Sequence, residues 1–137
     1  MPAALVLDSY ALLALLRDEA GGEAVARLLE HAGEADQPLQ MTEANYAEVQ
    51  YIIRRKDGDA AWEAVARELS AAPIEFHAID RRLADGAARF KARFKLSLAD
   101  AFAAALASER KAQLVTGDPE FRHLEKEIKI HWIHSQG

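Results

Sequence analysis

The 137-residue chain contains no cysteine, which removes disulfides, zinc–thiolate centres, iron–sulfur clusters and thiol nucleophiles together and fits an intracellular setting. Positive charge is in deficit. With 17 Lys+Arg against 22 Asp+Glu the formal charge is -5, so the diffuse nucleic-acid binding of strongly basic proteins is excluded and only a local basic patch remains open. No apolar run approaches the roughly 20 residues that span a bilayer. The stretch Ala3 to Leu16 is interrupted by Asp8 and preceded by no Lys or Arg, so no secretion signal is expected and a cytoplasmic location is. Gly-x-Ser-x-Gly, Walker and Gly-x-Gly-x-x-Gly motifs are missing as well, which leaves no basis for a serine hydrolase, a P-loop enzyme or a dinucleotide-binding protein. What is present is half hydrophobic and 28% charged, without repeat, linker or low-complexity tract, and predicts one folded domain over residues 1–137.

Short apolar runs alternate with helical patterns along the whole chain. Ala4 to Leu7 reads as a strand ending at Asp8, followed by helices over Ser9–Arg17 and Glu23–Ala35. A second strand over Leu39–Thr42 leads into a helix over Glu43–Lys56, whose Ala44, Ala47, Tyr51 and Ile52 recur at helical intervals. A further helix over Ala60–Ala71 is ended by Pro73. Ile74 to Ile79 alternates with period two, Asp80 caps a helix running through Leu83, Ala87, Phe90 and Phe94, and Ser97 opens an almost wholly apolar helix to Lys111. Gln113–Thr116 is a strand, Gly117-Asp118-Pro119 turns the chain into a short helix, and Ile128–Ile133 is the last strand. This order predicts an α/β fold: a mainly parallel central sheet flanked by helices on both faces.

Four acids stand out: Asp8, Glu48, Asp100 and Asp118. Each Asp has a plain structural explanation. Asp8 and Asp118 follow strands and can cap helices, Asp118 with Pro119 behind it, while Asp100 completes a Ser-x-x-acid capping box with Ser97. Glu48 has no such role, because it lies mid-helix with Ala44, Tyr51 and Ile52 one turn away, on or beside the expected core stripe. Asp100 is the only charged residue between Leu98 and Ala107, in a helix apolar on nearly every side. A buried carboxylate needs a partner or shifts its protonation. In a parallel sheet the strand-to-helix turns gather at the carboxyl edge, so these acids can meet there with no Lys or Arg at equivalent turns. Their repulsion calls for a divalent cation, and oxygen-only ligands suit Mg²⁺ or Mn²⁺. Metal-activated water at such a centre hydrolyses phosphodiesters, which makes a nuclease the leading reading.

The segments Val6-Leu7-Asp8-Ser9, Asn45-Tyr46-Ala47-Glu48-Val49, Leu96 to Ala107 and Leu114-Val115-Thr116-Gly117-Asp118 resemble, in order and spacing, the PIN-domain ribonucleases, specifically the VapC toxins of bacterial type II toxin–antitoxin pairs. The similarity spans essentially the whole chain, and the Ser97–Ala107 segment is its most specific part. It implies a metal-binding acidic centre of Asp8, Glu48 and Asp100 with Asp118 as a fourth acid. Ser9 and Thr116 match supporting hydroxyls, and Asn45 matches the family's Asn one helical turn before the acid. The resemblance further implies endoribonuclease activity on RNA, homodimerisation and inhibition by a small VapB-type antitoxin.

RNA approaching an acidic protein needs a local footprint, for which Arg54, Arg55 and Lys56 at a helix end and Arg89, Lys91, Arg93 and Lys95 before the Asp100 helix are the candidates. His131 and His134 would fall on opposite faces of a strand, and chain-end exposure is their simpler reading. Trp62, Phe90 and Phe94 at helical intervals read as core or interface. Two alternative readings stand beside it: a catalytically inactive PIN-like RNA- or partner-binding module, and a phosphoryl-accepting receiver domain. The second lacks its paired acids after strand one and its terminal Lys.

Overall fold

A computed structural model of the chain describes residues 4–134. Its elements follow the predicted alternation: β1 (Leu5–Leu7), α1 (Ser9–Leu16), α2 (Gly22–Ala35), β2 (Leu39–Thr42), α3 (Glu43–Asp57), α4 (Asp59–Ala71), β3 (Ile74–His77), α5 (Arg81–Arg93), α6 (Leu98–Arg110), β4 (Gln113–Thr116), a 3-10 turn over Pro119–Leu124, and β5 (Ile130–Trp132). The five strands form one sheet in the order β3-β2-β1-β4-β5, and every pair is parallel.

The bounds of β3 and β5 differ most from the sequence reading. β3 stops at His77 rather than Ile79 because its partner β2 ends at Thr42, the residue registered against His77. β5 begins at Ile130 rather than Ile128, since pairing with β4 starts at Leu114↔Ile130, and Ile128 instead turns into the core.

Side-chain alternation along the strands divides the core into two layers. Val6 and Leu114 pack with Leu83, Ala87 and the buried face of α6 on one side of the sheet. Their chain neighbours Leu7 and Val115 join Ala11, Ala14 and Val25 on the other, where Leu12, Met41, Val49, Ile53 and Trp62 extend the layer under α3 and α4. The inward stripe of α3 is Asn45, Val49 and Ile53, one position off the predicted one, so Ala47 and Tyr51 face outward. Tyr46 packs edge-on against Trp62 and Phe76, at 5.5 and 5.2 Å between centroids, which sets the rotation of α3.

Candidate active site

Strand order reverses at β1, with β2 on one flank and β4 on the other. The crevice at the carboxyl ends of these strands is therefore the topological switch point, where open α/β sheets bind ligands. Asp8 leaves β1 there and Asp118 follows β4 there, while α6 delivers Asp100 from its first turn.

Asp8 and Asp118 are caps, as their local sequence predicted, and Asp100 stands in the turn that Ser97 caps. Asp8 Oδ1 accepts from the Ala11 N–H at 2.8 Å, Asp118 Oδ1 from the Glu120 N–H at 2.9 Å, and the Ser97 hydroxyl accepts from the Asp100 N–H at 3.1 Å. Capping explains their placement at helix starts but not their convergence. The carboxylate oxygens of Asp100, Asp118 and Glu120 lie within 4.8 Å of one another. Asp8 sits behind this group with no exposed surface. Its second oxygen accepts from the Thr116 hydroxyl, which in turn accepts from the Asp118 N–H at 3.0 Å.

The electrostatics record the crowding. Burial pushes the Asp8 carboxyl well above the usual carboxylate range; the bonds from Thr116 and Ala11 pull it back, and the charges of Asp100 and Asp118 push it further up. Asp100 is raised to about 7, first by burial, then by the charges of Asp118 and Glu48, against a bond from Ser97 and with a further push from Glu120. Glu48, half-buried beside the Asn45–Val49–Ile53 stripe, thus reaches the centre through its field on Asp100.

Asn45 holds the frame. Its side-chain NH₂ donates to the Ser9 hydroxyl at 3.0 Å and to the Ala99 carbonyl at 3.1 Å, and its side-chain carbonyl accepts from the Thr42 hydroxyl. The Ser9 hydroxyl donates to the Asn45 carbonyl at 3.3 Å. One carboxamide therefore ties together the first turns of α1, α3 and α6. Each of these N-termini directs its positive dipole end towards the same edge of the sheet, which favours negative charge there.

Two positions of this cluster and its frame escaped the sequence reading. Glu120 looks like an ordinary acid in the first turn after Pro119, and only its spacing of two from Asp118 hints at more. Thr42 reads as a simple cap for α3, yet it also fixes the orientation of the Asn45 amide.

The basic candidates are scattered. Arg54 bonds Gln50 and Asp59 and Arg55 lies over the Tyr51 ring, about 9 Å or more along α3 beyond Glu48 and away from the crevice. Lys91 donates to the Leu96 carbonyl at 2.7 Å, and Arg93 forms a two-bond ion pair with Glu127 at 2.9 and 3.0 Å. Arg89 lines the groove between α5 and α6, and Lys95 is exposed in the turn before α6. His134 departs from the expectation of simple exposure: it is half-buried, and its Nε2 lies 3.0 Å from the Tyr10 hydroxyl.

The comparisons with known proteins agree with this architecture. The structure resembles a DNA-bound VapBC complex from Salmonella typhimurium at 15% identity and a TM-score of 0.73, covering 97% of this chain and 100% of that one. VapBC2 from Rickettsia felis, bound to a promoter DNA fragment, matches at 17% identity and 0.72, covering 94% and 98%. VapC20 of Mycobacterium tuberculosis, described as a toxin that cleaves the sarcin–ricin loop, matches at 18% and 0.69, covering 88% and 94%. A search of curated proteins finds no match. At these identities the structural likeness speaks for the fold. The sequence profile of the PIN domain, however, matches residues 5–127, and over that span the chain belongs to the PIN-domain family.

Proposed function

We propose that this protein is a divalent-metal-dependent endoribonuclease, the toxin of a type II toxin–antitoxin pair. The observation that carries the reading is the meeting of Asp100, Asp118 and Glu120 at the switch-point crevice of a PIN domain, with Asp8 and Glu48 flanking them. A site this acidic, with Asp100 raised to about 7, is electrostatically incomplete alone, and an all-oxygen donor set fits Mg²⁺ or Mn²⁺ rather than zinc. Asp100, Asp118 and Glu120 would hold the ion. When bound, it supplies an activated water and charge neutralisation on the scissile phosphate.

The chain's own residues provide the geometry. Thr116 and the Ala11 N–H fix both oxygens of Asp8, and Asn45 fixes the starts of α1, α3 and α6, so the carboxylates are held before any ligand arrives. A VapB-type antitoxin is the proposed partner, supported by solved relatives that are toxin–antitoxin complexes, with a homodimer as the proposed assembly. Among the described residues no helix is long and apolar enough to cross a membrane.

The test is cleavage of structured RNA by antitoxin-free protein with Mg²⁺ or Mn²⁺, alongside Asp100→Asn. Cleavage that stops both in that variant and after chelation supports the reading. RNA binding without cleavage by the wild type under every metal condition refutes it and favours the inactive binding module.

A further inference from the structure

Tyr10 stands two residues after Asp8, at the second position of α1, on the rim of the acidic crevice. Its hydroxyl is paired with His134 Nε2 at 3.0 Å, and the two rings lie 5.9 Å apart at 56°. Beneath them is Gly117, the residue before Asp118. A Cβ there would come within 2.4 Å of Tyr10 Cε1 and 2.7 Å of His134 Nε2, so the pair rests on a glycine saddle. The phenol is raised from its ordinary pKa, first by burial and then by the charges of Asp118, Glu19 and Asp8, which places it within the field of the acidic centre. Despite this clasp the residue remains 38% exposed.

The arrangement meets a need that the rest of the site leaves open. Five carboxylates repel the phosphates of RNA, and two of the cations before α6, Lys91 and Arg93, are already bonded to Leu96 and Glu127, which leaves Lys95 in that turn and Arg89 in the α5–α6 groove to meet phosphate. Affinity that phosphate contacts do not supply must come from the bases. An exposed aromatic ring whose polar tip is satisfied and whose position is locked offers stacking at small entropic cost. Resting on the ribonuclease reading above, we infer that Tyr10, clasped by His134 over Gly117, is a stacking platform for one nucleobase next to the phosphate held at the acidic centre.

The experiment uses the full chain carrying Asp100→Asn, so that RNA is retained, and a fluorescein-labelled single-stranded RNA of about 12 nucleotides with mixed sequence. Further RNAs carry one abasic position moved along the strand, and binding is read by anisotropy. Tyr10→Ala should weaken binding about 5- to 150-fold, while Tyr10→Phe and Tyr10→Trp stay within about threefold of the parent, since stacking needs the ring and not the hydroxyl. One abasic position should cost the parent a similar factor and cost Tyr10→Ala nothing more.

Equal weakening in Tyr10→Ala and Tyr10→Phe would show that Tyr10 is only a clasp on His134, and overturn the platform. So would abasic penalties that are the same with and without the ring, or a parent that binds no RNA. Circular dichroism checks that each variant is folded. Failure of the ribonuclease reading is a separate result: Tyr10-dependent RNA binding by wild-type protein that leaves RNA uncut in Mn²⁺ keeps the platform and rejects the catalysis.

Discussion

Replacing Asp100 with Asn should make the metal-free protein more stable at pH 8, although the change removes a residue from the heart of the site. Asp100 is 8% exposed, and its carboxyl is raised from an ordinary 3.8 to about 7 by burial and by the charges of Asp118 and Glu48. Its proton is thus kept in the folded state and released on unfolding at any pH between those values. Unfolding that releases a proton is favoured by rising pH, so this contribution to stability is full below pH 3.8 and lost as pH rises through 7. At about 1.4 kcal/mol per pH unit the span amounts to at most about 4 kcal/mol. Asp8, raised in the same direction, adds to the slope.

The asparagine variant removes the charge but buries an amide that costs about 1–2 kcal/mol, leaving a net gain of about 2 kcal/mol at pH 8. For a domain of this size that is roughly 6 °C in Tm. Urea and thermal unfolding in chelator from pH 4.5 to 8 would show wild-type stability falling with pH and a flatter variant curve crossing above it. Saturating Mn²⁺ should restore the wild type by about 2.7 kcal/mol at a hundred times Kd and leave the variant unchanged. A variant no more stable than wild type at pH 8, with parallel pH curves, would refute the argument that Asp100 is a charge held at the fold's expense.

Three further substitutions probe the scaffold. Thr116→Val deletes the hydroxyl that serves both the Asp8 carboxylate and the Asp118 N–H, and should cost about 2–3 kcal/mol in urea unfolding. Gly117→Ala drives a methyl into the Tyr10 and His134 rings and should destabilise by about 1–3 kcal/mol; combining it with Tyr10→Ala should recover part of the loss, which a thermal-shift double-mutant cycle reads directly. Asn45→Ala takes one side-chain partner each from the Ser9 and Thr42 hydroxyls and the Ala99 carbonyl, and should cost about 2–4 kcal/mol, with hydrogen exchange accelerated in the first turns of α1, α3 and α6 together rather than in α3 alone.

Much of this site was readable because a parallel α/β pattern determines where its strand-to-helix turns go. Asp8, Asp100 and Asp118 were legible as acids at the starts of helices, and the sheet's topology supplied their meeting place. The inward face of α3 was not, because a fully buried residue there, Asn45, is polar and a hydrophobicity pattern counts it as surface. Tyr51, counted as core for its apolar ring, is instead 47% exposed with Arg55 over it. Strand ends were misjudged where the local alternation outran the partner: Ala78 and Ile79 continue the pattern of β3, but β2 offers nothing beyond Thr42 to pair with. Glu120 was invisible because its place in the cluster depends on a turn that folds it back beside Asp100, 20 residues away in sequence. The density of capping side chains, by contrast, follows from local chemistry, since Asp8, Thr42, Asp80, Ser97 and Asp118 each bond an N–H of the turn they open.

The bond from Thr116 to Asp8 joins positions 108 residues apart, and Asn45 reaches 54 residues ahead to Ala99. During synthesis, then, the centre cannot exist in the emerging chain: Asp8 waits without its hydroxyl partner until β4 has left the ribosome and inserted beside β1. A site built this way carries a delay in its topology. Truncated or half-made copies present acids that have not met, and the centre is complete only when the last long-range contact closes.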